Sequence, residues 1–74
     1  MSTNHHDVYT QIGLNILYYR KAQGLTQQQL AELANYSRNH IQQIETAAAI
    51  PSVDALLDIA DALKVPVEKL FRRG

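Results

Sequence analysis

Residues 26–45 read TQQQLAELANYSRNHIQQIE, and their spacing predicts two short helices joined by a tight turn. Thr26 stands where an N-cap belongs, Gln29 three residues on completes a capping box, and Leu25 ahead of the cap can staple onto Leu30. Leu30, Ala31 and Ala34 then share one face of a helix of about two turns. Asn35 follows where a left-handed residue closes a helix, a conformation Asn tolerates better than most residues with a side chain. Ser37 restarts the chain as a second cap, with Tyr36 able to staple onto Ile41. A linker of about three residues makes the two helices cross steeply.

On the second helix Ile41 and Ile44 form an inward stripe, and helical spacing gathers Arg38, Asn39, Gln42 and Gln43 on the opposite side. None of these four is apolar. Arg can fork onto the two major-groove acceptors of guanine, and Asn or Gln can pair doubly with adenine, so these are the side chains that direct base readout requires. A Gln-rich face by itself is equally compatible with simple solvation. The capped helix at fixed spacing ahead of it favours a surface built to read a duplex.

From Ile12 to Phe71 the chain resembles the DNA-binding domain of the Cro and phage-repressor helix-turn-helix family, also called the xenobiotic-response-element family. The resemblance lies in Asn15-Ile16 and Arg20, Gly24-Leu25-Thr26-Gln27 with Leu30-Ala31, and Ser37-Arg38 with Ile41 and Ile44-Glu45. It continues through Pro51-Ser52, Leu56, Ile59-Ala60, Leu63 and Leu70-Phe71. It implies an all-α, five-helix, lambda-repressor-like domain that binds operator DNA as a homodimer and regulates transcription, most simply by repression. Half-sites of an inverted repeat would lie one helical turn, about 34 Å, apart. By the same resemblance Gln27 contacts the DNA backbone and braces the recognition helix, and Arg20 pairs with Glu45 while approaching a phosphate. Gln28 and Ser37 join Gln27 and Arg20 as expected backbone contacts, and Arg38, Asn39, Gln42 and Gln43 are the expected base contacts. The loop Thr46-Ala47-Ala48-Ala49 departs from the family, whose loop there is commonly polar and basic with a Gly. The alanines put phosphate clamping by this loop in doubt and allow the recognition helix to run on by a turn.

Seventy-four residues leave room for one domain, and a chain this small buries only about 60% of the surface its unfolded form exposes. Dimerisation would supplement that core. Cysteine is absent, so neither a disulfide nor a thiolate metal site can form, which fits a reducing cytoplasm. No apolar run approaches the roughly 20 residues of a membrane span. Seven basic and seven acidic residues give zero net charge, whereas nucleic-acid binding usually shows a basic excess. The charges are segregated, however: Asp54, Asp58 and Asp61 fall in a later helix, and Arg20, Lys21 and Arg38 in the half that would face DNA. So few cations predict little counterion release and a shallow salt dependence.

Outside the motif, residues 1–7 read as a polar tail and 8–74 as the domain. His5, His6 and Asp7 could attract a metal, but adjacent terminal histidines cannot enclose one without distant ligands, and no metal site or cofactor is expected. Val8, Ile12, Ile16 and Tyr19 predict a first helix over 8–22, closed by Gly24. Leu14, Leu17 and Tyr18 leave its other faces unusually apolar. Pro51-Ser52 opens a buttress helix with Asp54 in its first turn and Val53, Leu56, Leu57, Ile59, Ala60 and Leu63 on a wide apolar face. Pro66 opens a last helix over about 66–72, whose Val67, Leu70 and Phe71 are read as a homodimer surface beside a basic end of Lys69, Arg72 and Arg73. No phosphate loop or paired-carboxylate motif suggests catalysis, and Ser37 and Ser52 are explained as caps, so an enzyme is not expected. Two other readings stay open: a protein-interaction module such as an antitoxin subunit, and a restriction-modification controller.

Overall fold

The computed structural model describes residues 5–73. Four α-helices follow one another, α1 (His6–Ala22), α2 (Gln27–Ala34), α3 (Arg38–Glu45) and α4 (Val53–Leu63), and a 3-10 helix, Val67–Phe71, closes the chain. The expectation of five α-helices is corrected at that last element. Five residues are too few to nucleate an α-helix outside a packed context, and 3-10 geometry serves such short pieces. Pro66 stands just before the element, accepting from the Lys69 N–H at 3.0 Å.

The first helix also starts earlier than its apolar pattern suggests. It begins at His6, with Asp7 in the first turn where a carboxylate complements the dipole, so His6 and Asp7 of the tail expected over 1–7 are helical; the first four residues of that stretch lie outside those described. Ile12 and Ile16 of α1, Leu30, Ala31 and Ala34 of α2, Ile41 and Ile44 of α3, and Leu56, Ile59, Ala60 and Leu63 of α4 meet in one core. Val8 and Tyr19 pack at its margin. Helix α1 lies against α3 and the 3-10 helix, and α2 against α3 and α4.

Leu70 is fully buried in that same core, at 0% exposure. It cannot form a homodimer surface, which corrects that assignment: the turn of the 3-10 helix points Leu70 inward, leaving Val67 half-buried and Phe71 exposed. Asn15 holds this terminus in place, its side-chain amide donating to the Leu70 and Arg72 carbonyls at 2.8 and 2.7 Å. The Gln23 amide likewise donates to the Leu63 carbonyl, joining the ends of α1 and α4. Other large apolar side chains remain outside: Leu14 and Tyr18 on α1, Ile50 ahead of α4, and Val53 and Leu57 in its first turns, Val53 being 72% exposed. No helix among the described residues is long and apolar enough to cross a membrane.

All four α-helices stop in the same way. A residue with left-handed backbone follows each one, Gly24, Asn35, Ala47 and Lys64, with φ between 60 and 71°. The next N–H then reaches back five residues: Leu25 to Arg20, Tyr36 to Ala31, Ala48 to Gln43 and Val65 to Ala60, at 2.8 to 3.1 Å. This is the Schellman closure. It also corrects the idea that the alanine run prolongs α3, because Ala47 turns the chain out of the helix immediately after Thr46.

Candidate nucleic-acid interface

The turn between α2 and α3 has the chemistry expected of it. Thr26 Oγ1 accepts from the Gln29 N–H at 3.0 Å while the Gln29 side chain accepts from the Thr26 N–H at 2.8 Å, completing the capping box. Asn35 adopts φ 65 and ψ 43, and Ser37 Oγ accepts from the His40 N–H at 3.1 Å. Ser37 thus caps α3 through its oxygen, which leaves its hydroxyl hydrogen able to donate. Tyr36 fills the corner between them, its hydroxyl donating to Asp58 Oδ2 of α4 at 3.0 Å. That hydrogen bond, with lesser help from desolvation and from the charges of Asp58 and Asp54, raises the Tyr36 pKa above its ordinary value.

Helix α3 buries Ile41 and Ile44 and turns Arg38, Asn39 and Gln42 outward; Gln43 is half-buried at the edge. Among the described residues the side chains of these four make no hydrogen bond or ion pair with the rest of the protein. A row of unpaired donors and acceptors on a rigid helix costs little while water serves it, and it can exchange that water for base edges.

The rigidity comes from beneath. Arg20 donates from Nε and Nη2 to the two Glu45 carboxylate oxygens at 2.7 and 3.1 Å, and from Nη1 to the Leu25 carbonyl at 2.9 Å. Gln27 Nε2 donates to Glu45 Oε1 at 3.0 Å. Arg20 and Glu45 are each only 7% exposed, so the pair is a buried one, a point the sequence left open. Among the described residues no buried side-chain polar atom lacks a partner. Arg20, expected also as a DNA-backbone contact, has its charge matched by Glu45 and three of its five N–H groups directed inside, and it lines a depression of the surface. Exposed Lys21 and Arg38 sit around the same depression, together with Thr26, Gln27 and Gln28 at the start of α2. There the free N–H groups of the first turn favour an anion. Gln28 itself donates to Glu32 Oε2 at 3.0 Å, along the surface of α2.

One residue that carries the site was missed in the sequence. Gly13 lies mid-helix in α1 against the end of α3, where an added Cβ would fall 2.7 Å from the Ile44 carbonyl oxygen and closer still to that of Glu45. A lone Gly in an apolar helix was the available signal. The described residues contain no group of three or more His, Asp or Glu placed to hold a metal.

Comparison with known proteins agrees with this geometry. Residues 16–70 match the helix-turn-helix family HTH_3. The chain is 41% identical over 59 residues to the immunity repressor protein of Bacillus phage phi105, covering 80% of this chain and 41% of that protein. It is 31% identical over 67 residues to the control protein C.SmaI of Serratia marcescens, covering 90% of this chain and 80% of that one. It superposes on the restriction-modification controller protein C.AhdI from Aeromonas hydrophila with a TM-score of 0.83 and 28% identity, over 85% of this chain and 96% of that one. The chain thus spans less than half the length of the phage repressor, and 16% of the length of another relative it matches.

Proposed function

The chain belongs to the helix-turn-helix family of Cro/C1-type transcriptional regulators, and from that premise we propose that it binds operator DNA in the major groove as a cytoplasmic homodimer and represses transcription by blocking polymerase. The observation that carries this reading is the outward face of α3, with Arg38, Asn39 and Gln42 exposed and unpaired on a helix clamped by Arg20, Glu45 and Gln27. Arg38, Asn39, Gln42 and Gln43 read base edges. Lys21, Gln27, Gln28, Ser37 and the main-chain N–H groups of the first turn of α2 hold the phosphates. The domain has no catalytic role in this reading.

Likeness to C.SmaI and C.AhdI over most of each favours a restriction-modification controller as the specific kind of regulator. Pairing runs through Phe71 and Val67 of the 3-10 helix, with the exposed stripe of Val53 and Leu57 on α4 as the competing surface. Sedimentation separates these: Phe71→Ser should give a monomer, and a dimer that survives it but not Val53→Ser with Leu57→Ser moves the interface to α4.

Selection from a pool of random duplexes tests the function. The expected product is an inverted repeat with half-sites about one helical turn, roughly 34 Å, apart. A pool that enriches no sequence would instead support the protein-interaction module, a reading favoured by the zero net charge and by the alanine loop Ala47-Ala48-Ala49.

A further inference from the structure

Resting on the DNA-binding function above, we propose that His40 is an additional contact, donating to a phosphate oxygen at the edge of the reading face and making DNA affinity depend on pH. His40 is the third residue of α3 and half-buried, and helical spacing puts it beside Gln43, at the edge of the outward stripe away from Arg38. Its ring stands edge-to-face on Tyr36, with centroids 5.1 Å apart and planes at 86°. Tyr36 is in turn held by Asp58 of α4. The imidazole is therefore braced from the far side of the domain, yet neither ring nitrogen has a hydrogen-bond partner among the described residues. A side chain ordered in advance donates to a ligand at small entropic cost.

Position decides between base and backbone. The centre of the α3 face belongs to Asn39 and Gln42, which would lie deepest in the groove, whereas a residue at the edge meets the wall of phosphates. The groups facing the imidazole are Tyr36 from the turn and, behind Tyr36, the carboxylates Asp54 and Asp58 of α4, while Arg38 lies on the opposite side of α3. On DNA a phosphate becomes its neighbour and favours the protonated form. By linkage, affinity must then rise as pH falls through the range in which histidine gains its proton.

The experiment measures affinity of the full chain for its selected duplex at about pH 6 and pH 8, across a salt series, for the wild type, His40→Gln, and a control carrying His5→Gln with His6→Gln. The wild type and the control should bind about tenfold tighter at the lower pH. Their plots of log affinity against log salt at low pH should be steeper than that of His40→Gln by about 0.9, one phosphate's worth of counterion. The His40→Gln variant should lose the pH dependence and keep the order of preference among duplexes. If His40→Gln retains the wild-type pH dependence and salt slope, the contact is refuted while the DNA-binding function stands. A shift in preferred sequence would refute the phosphate assignment in favour of a base. A wild type that binds no duplex refutes both.

Discussion

The two ends of α3 reach similar backbone geometries by different means. At its start the turn is written in the residues themselves: Asn35 accepts the left-handed conformation, and Ser37 caps the new helix. At its exit the same left-handed conformation falls on Ala47, a residue with no preference for it, at φ 61°. That conformation costs a residue with a Cβ on the order of 1 kcal/mol. What holds the exit is tertiary. Glu45 is fixed by Arg20 and Gln27, and Gly13 lets α1 lie directly on the last carbonyls of α3. One end of the recognition helix is set by local chemistry and the other by its neighbours.

The largest test of that contrast removes the clamp at the exit. Glu45→Gln leaves Arg20 buried without its counter-charge, and loss of one partner of a buried pair costs about 3 to 5 kcal/mol. For a domain this small that is a large share of the total, so thermal unfolding should shift strongly downward. Unchanged melting would show that the exit is not held by this pair. Next comes Gly13→Ala, which presses a methyl group into backbone carbonyls that cannot rotate away; overpacking of this kind costs about 1 to 3 kcal/mol. Denaturant unfolding of the variant should show a lower midpoint, and a neutral result would mean that α1 slides freely on α3.

A third substitution runs the other way. Ala47→Gly removes the left-handed penalty and should stabilise by about 0.5 to 1 kcal/mol, whereas Asn35→Gly at the start of α3 should be nearly neutral, because Asn already suits the site. Equal gains at the two positions would erase the contrast. The smallest effect concerns the hydrogen bond from Tyr36 to Asp58 behind the start of α3. Because its pKa is raised in the fold, the neutral phenol is favoured, so its contribution is complete below the ordinary tyrosine value of about 10 and is lost as pH rises through the folded value. Difference absorbance titration against Tyr36→Phe should place this tyrosine's ionisation above that seen in Asp58→Asn. A coincident titration would remove Asp58 as the cause.

The same division explains what could be read from the chain before its structure. The capping box at Thr26, the stops at Gly24 and Asn35, the caps at Ser37 and Ser52 and the core stripes are all local patterns of residue type, and they were legible. So was the outward placement of Arg38, Asn39 and Gln42, since helical spacing alone decides it. The left-handed Ala47 and Lys64 were not legible, because nothing in either side chain asks for that conformation; the packing of the next element imposes it. Leu70 was misread as surface for a related reason. An apolar residue in a short terminal helix looks unpartnered until Asn15 is seen to pull the terminus onto α1. Burial of the Arg20 and Glu45 pair, likewise, depends on how α1 and α3 approach across 25 residues of sequence.

The central claim is that the free face of α3 reads bases. Its most direct test is to repeat duplex selection with Arg38→Ala and compare the preferred site with that of the wild type. Loss of preference at one base pair in each half-site, with a cost of about 1 to 3 kcal/mol on the wild-type operator, is the predicted result. A uniform loss of affinity on every sequence, with the selected site unchanged, would contradict it.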